Sequence, residues 1–316
     1  MKYEDLSQEQ HLFIDLALQG ENILVDACIG SGKTTAIQTL CGLMGTDRRI
    51  LYLTYNKLLK LDAKSKIKTR GTKTTVTNYH GFCYSELRRN GQQPNLSDCI
   101  QLYNQSNLPV RHYDVLILDE YQDIEQEIAE MLYHIKDANP GIQIIAVGDM
   151  AQKIYDKTRL NAAAFITAFL GAGNYRAIEF TQCFRLSPDL AQRLGTIWGK
   201  EIRGVNENCS VEYMTIHDAI STLAQYKPGE ILCLGANVGA RNVIMNTLER
   251  DHPETFNKKT VWAKISEAEG GTSPDSECAV FTTFDGCKGM ERDVCVVCDW
   301  TENYWDTRIS RSQVNS

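Results

Sequence analysis

No apolar run in this sequence approaches the ~18 residues that a membrane-crossing helix needs, so an integral membrane protein is not expected. The opening stretch, residues 1–10, is acidic and polar, unlike a secretory or transit signal. There is no internal repeat and no low-complexity tract, so a repeat array is not expected. Positive charge is in deficit: 33 Lys and Arg stand against 40 Asp and Glu, for a net charge of −7. That balance argues against a chain that coats nucleic acid through bulk charge. Metal-ligand spacing is missing too. The 11 cysteines are scattered from Cys28 to Cys298, and Cys295-Val296-Val297-Cys298 has no second pair or nearby His. Free thiols in a reducing cytoplasm are the expectation. What remains is ordinary: 43% hydrophobic and 23% charged residues over 316 positions, which suits a soluble globular protein of about two domains.

Short β-rich runs alternate with helical patterns along the chain. Residues 22–26, 50–54, 74–77, 114–118, 142–147 and 177–180 read as strands, and 33–43, 57–64, 79–89, 124–136 and 188–198 as helices. Such alternation predicts an α/β fold with mostly parallel sheets covered on both faces. The polar stretch 199–210 reads as the domain boundary, giving domains 1–200 and 201–316. Beyond it, 211–214, 231–234, 279–283 and 294–297 read as strands, 218–225 and 240–249 as helices, and 266–277 as a loop.

Ala27-Cys28-Ile29-Gly30-Ser31-Gly32-Lys33-Thr34 follows a predicted strand and opens a predicted helix, the context that a phosphate-binding loop requires. Glycines let successive backbone N–H groups turn inward on phosphate oxygens, and the helix N-terminus adds partial positive charge. Lys33 would bridge the β- and γ-phosphates, Thr34 would hold Mg²⁺, and Thr35 would complete the binding turn. Asp119-Glu120 ends the strand 114–118, at the rim where open α/β sheets bind ligands. Asp119 suits a Mg²⁺ ligand and Glu120 a general base that activates water. No Asn-Lys-x-Asp motif is present, which favours ATP over GTP.

With these motifs and others in order, the sequence resembles the UvrD/Rep group of superfamily 1 helicases from Leu6 to Val297. Asp119-Glu120-Tyr121-Gln122-Asp123 is similar to the group's second motif, and Val147-Gly148-Asp149-Met150-Ala151-Gln152-Lys153-Ile154-Tyr155 to its third. Gln182-Cys183-Phe184-Arg185 resembles the fourth, and residues 283–291, ending Lys288-Gly289-Met290-Glu291, the fifth. Leu6-Ser7-Gln8-Glu9-Gln10 is similar to the motif whose glutamine reads adenine, here Gln10. The resemblance implies two RecA-like domains, the second incomplete, with ATP and Mg²⁺ bound between them. It also implies that Gln152 orients water or senses the γ-phosphate, that Arg185 stabilises transition-state charge, and that Phe184 stacks on adenine. Gly289 and Glu291 would meet the nucleotide from the second domain. Thr54, Tyr55, Asn56, Lys57, His80, Tyr155 and Thr283 would contact single-stranded DNA.

The departures are as informative. Asp285 stands where relatives commonly carry His, and Asp156-Lys157-Thr158 replaces a further stacking aromatic. The insertion in the first domain, about 84–112, is minimal. A sixth motif with a second arginine finger is missing, since Thr307-Arg308-Ile309-Ser310 lacks the preceding apolar strand. Either the chain is part of a longer protein, or it binds ATP with little turnover. The leading expectation is an ATP-driven, 3′→5′ translocase on single-stranded DNA rather than RNA. The alternative is an ATP- and DNA-sensing regulatory subunit with a protein partner such as a nuclease. Between Lys57 and Lys73 the chain carries Lys57, Lys60, Lys64, Lys66, Lys68, Arg70 and Lys73 against only Asp62, which predicts a phosphate-tracking groove despite the acidic total.

Overall fold

Val115-Leu116-Ile117-Leu118 is apolar at every position, and successive strand residues face opposite sides of a sheet. Such a run is stable only where both faces are covered. The computed structural model describes residues 3–54, 73–106, 108–153, 160–263, 275–284, 286–287, 290–302 and 306, and it supplies that cover. Val115 and Ile117 pack with Phe13 of α1 (Gln8–Leu18) and Ile37 and Leu40 of α2 (Lys33–Met44). Leu116 and Leu118 pack oppositely, with Phe82 of α3 (Tyr79–Arg89), Leu132 of α5 (Gln126–Ala138) and Phe169 of α6 (Ala162–Leu170). A short α4 (Cys99–Asn104) joins the second group. Full burial of each such side chain contributes about 1.5–3 kcal/mol.

The strand is β4 (Val115–Asp119) of a six-stranded sheet, together with β1 (Ile23–Ala27), β2 (Ile50–Thr54), β3 (Thr74–Asn78), β5 (Gln143–Gly148) and β6 (Arg176–Phe180). The order among the described residues is β3-β2-β4-β5-β1-β6, and every pairing is parallel. Each predicted strand of this region is present within a residue or two. After β6, a parallel pair of two-residue strands, β7 (Gln182–Cys183) and β8 (Arg203–Gly204), flanks α7 (Pro188–Trp198). Helix α7 is punctuated as its sequence suggests. Ser187 caps its first turn, Pro188 opens it, and Gly199 ends it in the left-handed region at φ 60°.

The chain divides into two units, Met1–Ser210 and Val211–Ser316. The second carries β9 (Ile231–Leu234), β10 (Val261–Ala263), β11 (Ala279–Thr282) and β12 (Val294–Val297). Their order among the described residues is β10-β11-β9-β12, again all parallel. Helices α8 (Ile216–Leu223) and α9 (Ala240–Asp251) contribute Leu223, Ile244 and Leu248 to a core around Phe256 and Phe281. The strand expected at 211–214 does not form. Its residues pair with no neighbour among the described residues, and Tyr213 is 99% exposed. The helix expected at 57–64 and most of the loop at 266–277 lie outside the described residues.

Glu9 of α1 fastens the end of the sheet. Its carboxylate accepts from Thr181 N at 2.9 Å, Thr181 Oγ1 at 2.6 Å, Gln182 N at 3.2 Å and Arg203 Nη2 at 2.7 Å. Burial works against that charge, but the hydroxyl, the two backbone N–H groups and Arg203 outweigh it and hold the Glu9 carboxyl below 4.5. A lowered folded-state value stabilises above the unfolded value and is lost as pH falls through it. Glu9→Gln should therefore cost about 1 kcal/mol at neutral pH, after allowance for partial exposure. In urea denaturation the gap to wild type should close as pH drops below about 4.5; a gap that does not vary with pH would mean that the charge is not its source.

Candidate nucleotide-binding site

Because the six strands run one way, their carboxyl ends share an edge of the sheet, and the predicted site residues follow those ends. Gly30 and Gly32, in the loop between β1 and α2, have φ of 65° and 74°, a backbone conformation that only glycine adopts without strain. Space requires them as well. A Cβ on Gly30 would lie 2.7 Å from Arg185 Cβ and 3.1 Å from Cys183 Sγ. One on Gly32 would lie 2.6 Å from Gln10 Nε2 and 3.7 Å from Phe184 Cε2. Ser31 Oγ donates to Cys28 O at 2.8 Å and steadies the turn, so Lys33, Thr34 and Thr35 form the first turn of α2.

Phe184 and Arg185 reach this loop through a backbone hydrogen bond, Phe184 N to Gly30 O at 2.9 Å, while Cys28 N donates to Phe180 O at 2.7 Å. The chain leaving β6 thus runs along the phosphate loop. Phe184 is exposed beside Gly32, where a planar base can stack on it. A hydrogen bond from the Cys28 thiol holds the Cys183 thiol below its usual range against the effect of burial, helped by the N–H groups of Leu186 and Arg185.

Gln10 is placed differently from a free reader of adenine. Its Oε1 accepts from Ser7 N at 3.0 Å, and its Nε2 donates to Ser31 O at 3.0 Å. Both ends of the amide are therefore engaged with backbone, one capping α1 and one bracing the phosphate loop. Nε2 also reaches Gly32 O at 3.4 Å, and Oε1 keeps a second lone pair that a base could use.

Asp119 is the last residue of β4 and is buried. Tyr52 of β2 donates to its Oδ2 at 2.7 Å, while Oδ1 is buried without a hydrogen-bond partner among the described residues. Burial pushes the Asp119 carboxyl up to about 7, the Glu120 charge adds to this, and Tyr52 and Lys33 oppose it. A buried carboxylate oxygen with no donor among the described residues can serve as a ligand to a divalent cation. Glu120 follows at φ 58°, one of two described non-glycine residues with positive φ. Strain of that kind is kept where surroundings over-determine it. Here Gln122 donates to Glu120 Oε2, and Gln122 Oε1 accepts from Asp149 N at 3.0 Å. Gly148 makes room for this link, since a Cβ there would lie 2.5 Å from Gln122 Oε1. Asp149 in turn accepts from Gln152 Nε2 at 2.7 Å.

Other predicted positions are not gathered at this site. Thr54 and His80 lie at the carboxyl end of β2 and just after β3, Thr54 buried with Oγ1 unpartnered among the described residues and His80 exposed. Thr283 and Glu291 belong to the second unit, and Thr283 Oγ1 accepts from Gly286 N at 3.3 Å. Tyr55, Asn56, Lys57, Tyr155 and Gly289 lie outside the described residues, as does the basic run apart from Lys73. The sequence reading missed Tyr52, which looks like core in a strand, and gave Gln122 no role of its own within its motif. It also missed Lys200, which falls in a stretch that reads as linker.

Residues 10–158 match the family model of an AAA domain, which ends beyond Gln152. No curated protein matches the chain. Among solved structures it is similar to the DUF1998 helicase MrfA bound to DNA, with a TM-score of 0.52 and 12% identity over 92% of this chain and 44% of that one. It is also similar to the Pif1 helicase from Candida albicans, with a TM-score of 0.44 and 16% identity over 78% of this chain and 54% of that one. The chain spans about half the length of these structures. At such identities the likeness to MrfA is one of fold: α/β, with two parallel sheets of the RecA-like kind.

Gly30→Ala combines left-handed strain with the clash against Arg185 and Cys183, whereas Gly45 has φ 59° and nothing within 4 Å of an added Cβ. Gly45→Ala should cost about 1–2 kcal/mol from strain alone, and Gly30→Ala measurably more. Urea denaturation of the two variants without nucleotide checks this; equal losses would mean that the loop yields freely around Gly30.

Proposed function

We propose that the chain is the ATP-hydrolysing core of a translocase or helicase that acts on single-stranded DNA. The observation that carries the reading is the convergence of Lys33, Asp119, Glu120, Gln152, Phe184 and Arg185 on one edge of a parallel sheet, from four separate segments. The AAA-domain match and the fold shared with a helicase bound to DNA support it. Resemblance to the UvrD/Rep group adds 3′→5′ polarity to the proposal.

In this reading the phosphate loop and Lys33 hold the triphosphate tail of ATP, with adenine stacked on Phe184. Thr34 and Asp119 would hold Mg²⁺, which would supply positive charge against the phosphate tail. Glu120, kept at its strained φ and tied to Gln122, accepts a proton from water as that water attacks the γ-phosphorus. The bond to the bridging oxygen breaks, and ADP and phosphate leave. Gln152 orients the water through its amide, and Arg185 stabilises charge on the transferred group. Two RecA-like units in one chain suit a stepping motor, because hydrolysis can change the grip of each on the strand in turn.

Lys33→Ala should abolish binding of a fluorescent ATP analogue. Glu120→Gln should bind it as wild type does, yet release phosphate at least 100-fold more slowly in the presence of single-stranded DNA. Normal turnover by Glu120→Gln would remove Glu120 as the base. Wild-type turnover indifferent to DNA would sink the translocase. Neutralising Lys57, Lys60 and Lys64 together should weaken binding to all single strands alike and reduce the log–log salt slope by about two, from ~0.7 per phosphate contact. Loss of affinity for one sequence only would mean that these lysines do not track phosphates.

A further inference from the structure

Lys200 joins two halves of the candidate site that share no sequence motif with it. Its Nζ donates to Asp26 Oδ1 at 2.6 Å, Asp149 Oδ1 at 2.9 Å and Ala27 O at 3.1 Å. An ammonium has three protons to donate, so this one is saturated. Asp26 and Ala27 end the strand that delivers the phosphate loop. Asp149 begins the turn that delivers Gln152, whose amide it holds from the other carboxylate oxygen. Asp149 is fully buried, and its Oδ1 also accepts from Ala151 N at 3.1 Å. Burial alone would lower the Lys200 pKa, but its hydrogen bonds to Asp26 and Asp149 and the charges of these carboxylates raise it, so the ammonium stays charged.

The surroundings fix where this lysine stands. Helix α7 ends at Gly199, and the chain folds back so that Lys200 N donates to Gly195 O at 3.0 Å. Gly195 permits the return, since a Cβ there would lie 2.6 Å from Lys200 O. Two residues on, Ile202 is buried against Cys28, Cys183 and Ala191. One residue further, Arg203 N donates to Thr181 O at 2.8 Å. Nothing in this arrangement serves Lys200 as a surface charge: its side chain is 16% exposed, and its charge faces inward.

We infer that Lys200 is a positioning residue which holds the Asp149–Gln152 turn in register with the phosphate loop, and so sets how strongly the site prefers a nucleoside triphosphate to a diphosphate. The inference rests on the proposed ATP site, because Gln152 acts on the γ-phosphate only there. Without the ammonium, the buried Asp149 carboxylate loses its counter-charge and the turn loses its tie to Ala27. The phosphate loop keeps its own backbone, so grip on the α- and β-phosphates persists.

The test measures ATP and ADP affinities by displacement of a fluorescent nucleotide from wild type, Lys200→Met, Gln152→Ala and the double variant, with melting curves for each. Lys200→Met should lower the preference for ATP over ADP about tenfold, the scale of one charge-assisted hydrogen bond, while ADP affinity changes little. The double variant should lose no more preference than Gln152→Ala alone, since one residue acts through the other. Lys200→Arg should restore part of it. Equal loss of ATP and ADP affinity, or losses in the double variant that multiply, would overturn the inference. If Lys200→Met does not fold, Asp26→Asn and Lys200→Arg decide: both should lower the preference in smaller steps, and a wild-type preference in both overturns it. A wild-type chain that binds neither nucleotide would instead sink the proposed site, which separates the two failures.

Discussion

Parallel pairing of all six strands in the first sheet is the constraint on which the rest depends. An antiparallel neighbour would send alternate strand ends to the opposite edge and scatter the site. With parallel strands, β1 delivers the phosphate loop, β4 delivers Asp119 and Glu120, β5 delivers Gly148 and Asp149, and β6 leads to Phe184. Parallel strands need crossover connections, and the helices that make them bury both faces of the sheet. The same apolar run that stabilises β4 therefore aims its terminal carboxylate at the rim.

A partly buried polar network then sets the details. Glu120, Gln122, Asp149, Gln152 and Lys200 are linked by successive hydrogen bonds, ending on Asp26 and Ala27 beside the phosphate loop. Networks of this kind are costly when half-satisfied and rigid when complete. Lys200 has an acceptor for each of its protons, and Gln122 uses both ends of its amide. Asp119 Oδ1 stands out against that background as a buried oxygen without a donor among the described residues. The contrast is what gives it meaning, because a carboxylate oxygen left bare beside so many satisfied groups is suited to a cation.

The elements were largely legible in the sequence, and particular residues show why. Ile50, Leu51, Tyr52, Leu53 and Thr54 form a β-prone run, and they pair as a strand over that range. Pro188 and Gly199 punctuate α7 through local backbone chemistry that needs no distant partner. Residues 211–214 failed for the opposite reason, since a strand exists only where another strand receives it. Gln10 was legible as part of the site, but its hydrogen bonds to Ser7 and Ser31 were not. An amide side chain offers two ends, and only the fold says what meets them.

By itself the sequence determined what depends on neighbours along the chain: the glycine turn before Lys33, the two carboxylates that close an apolar strand, the caps, and the alternation that forces parallel sheets. Tertiary structure alone decided which distant groups meet. Tyr52 reaches Asp119 across 67 residues, and Lys200 reaches Asp26 across 174. Lysine after a glycine in a polar stretch has the local signature of a linker. It became an anchor because the return past Gly195 carries its ammonium to two carboxylates and a carbonyl that no local pattern brings together.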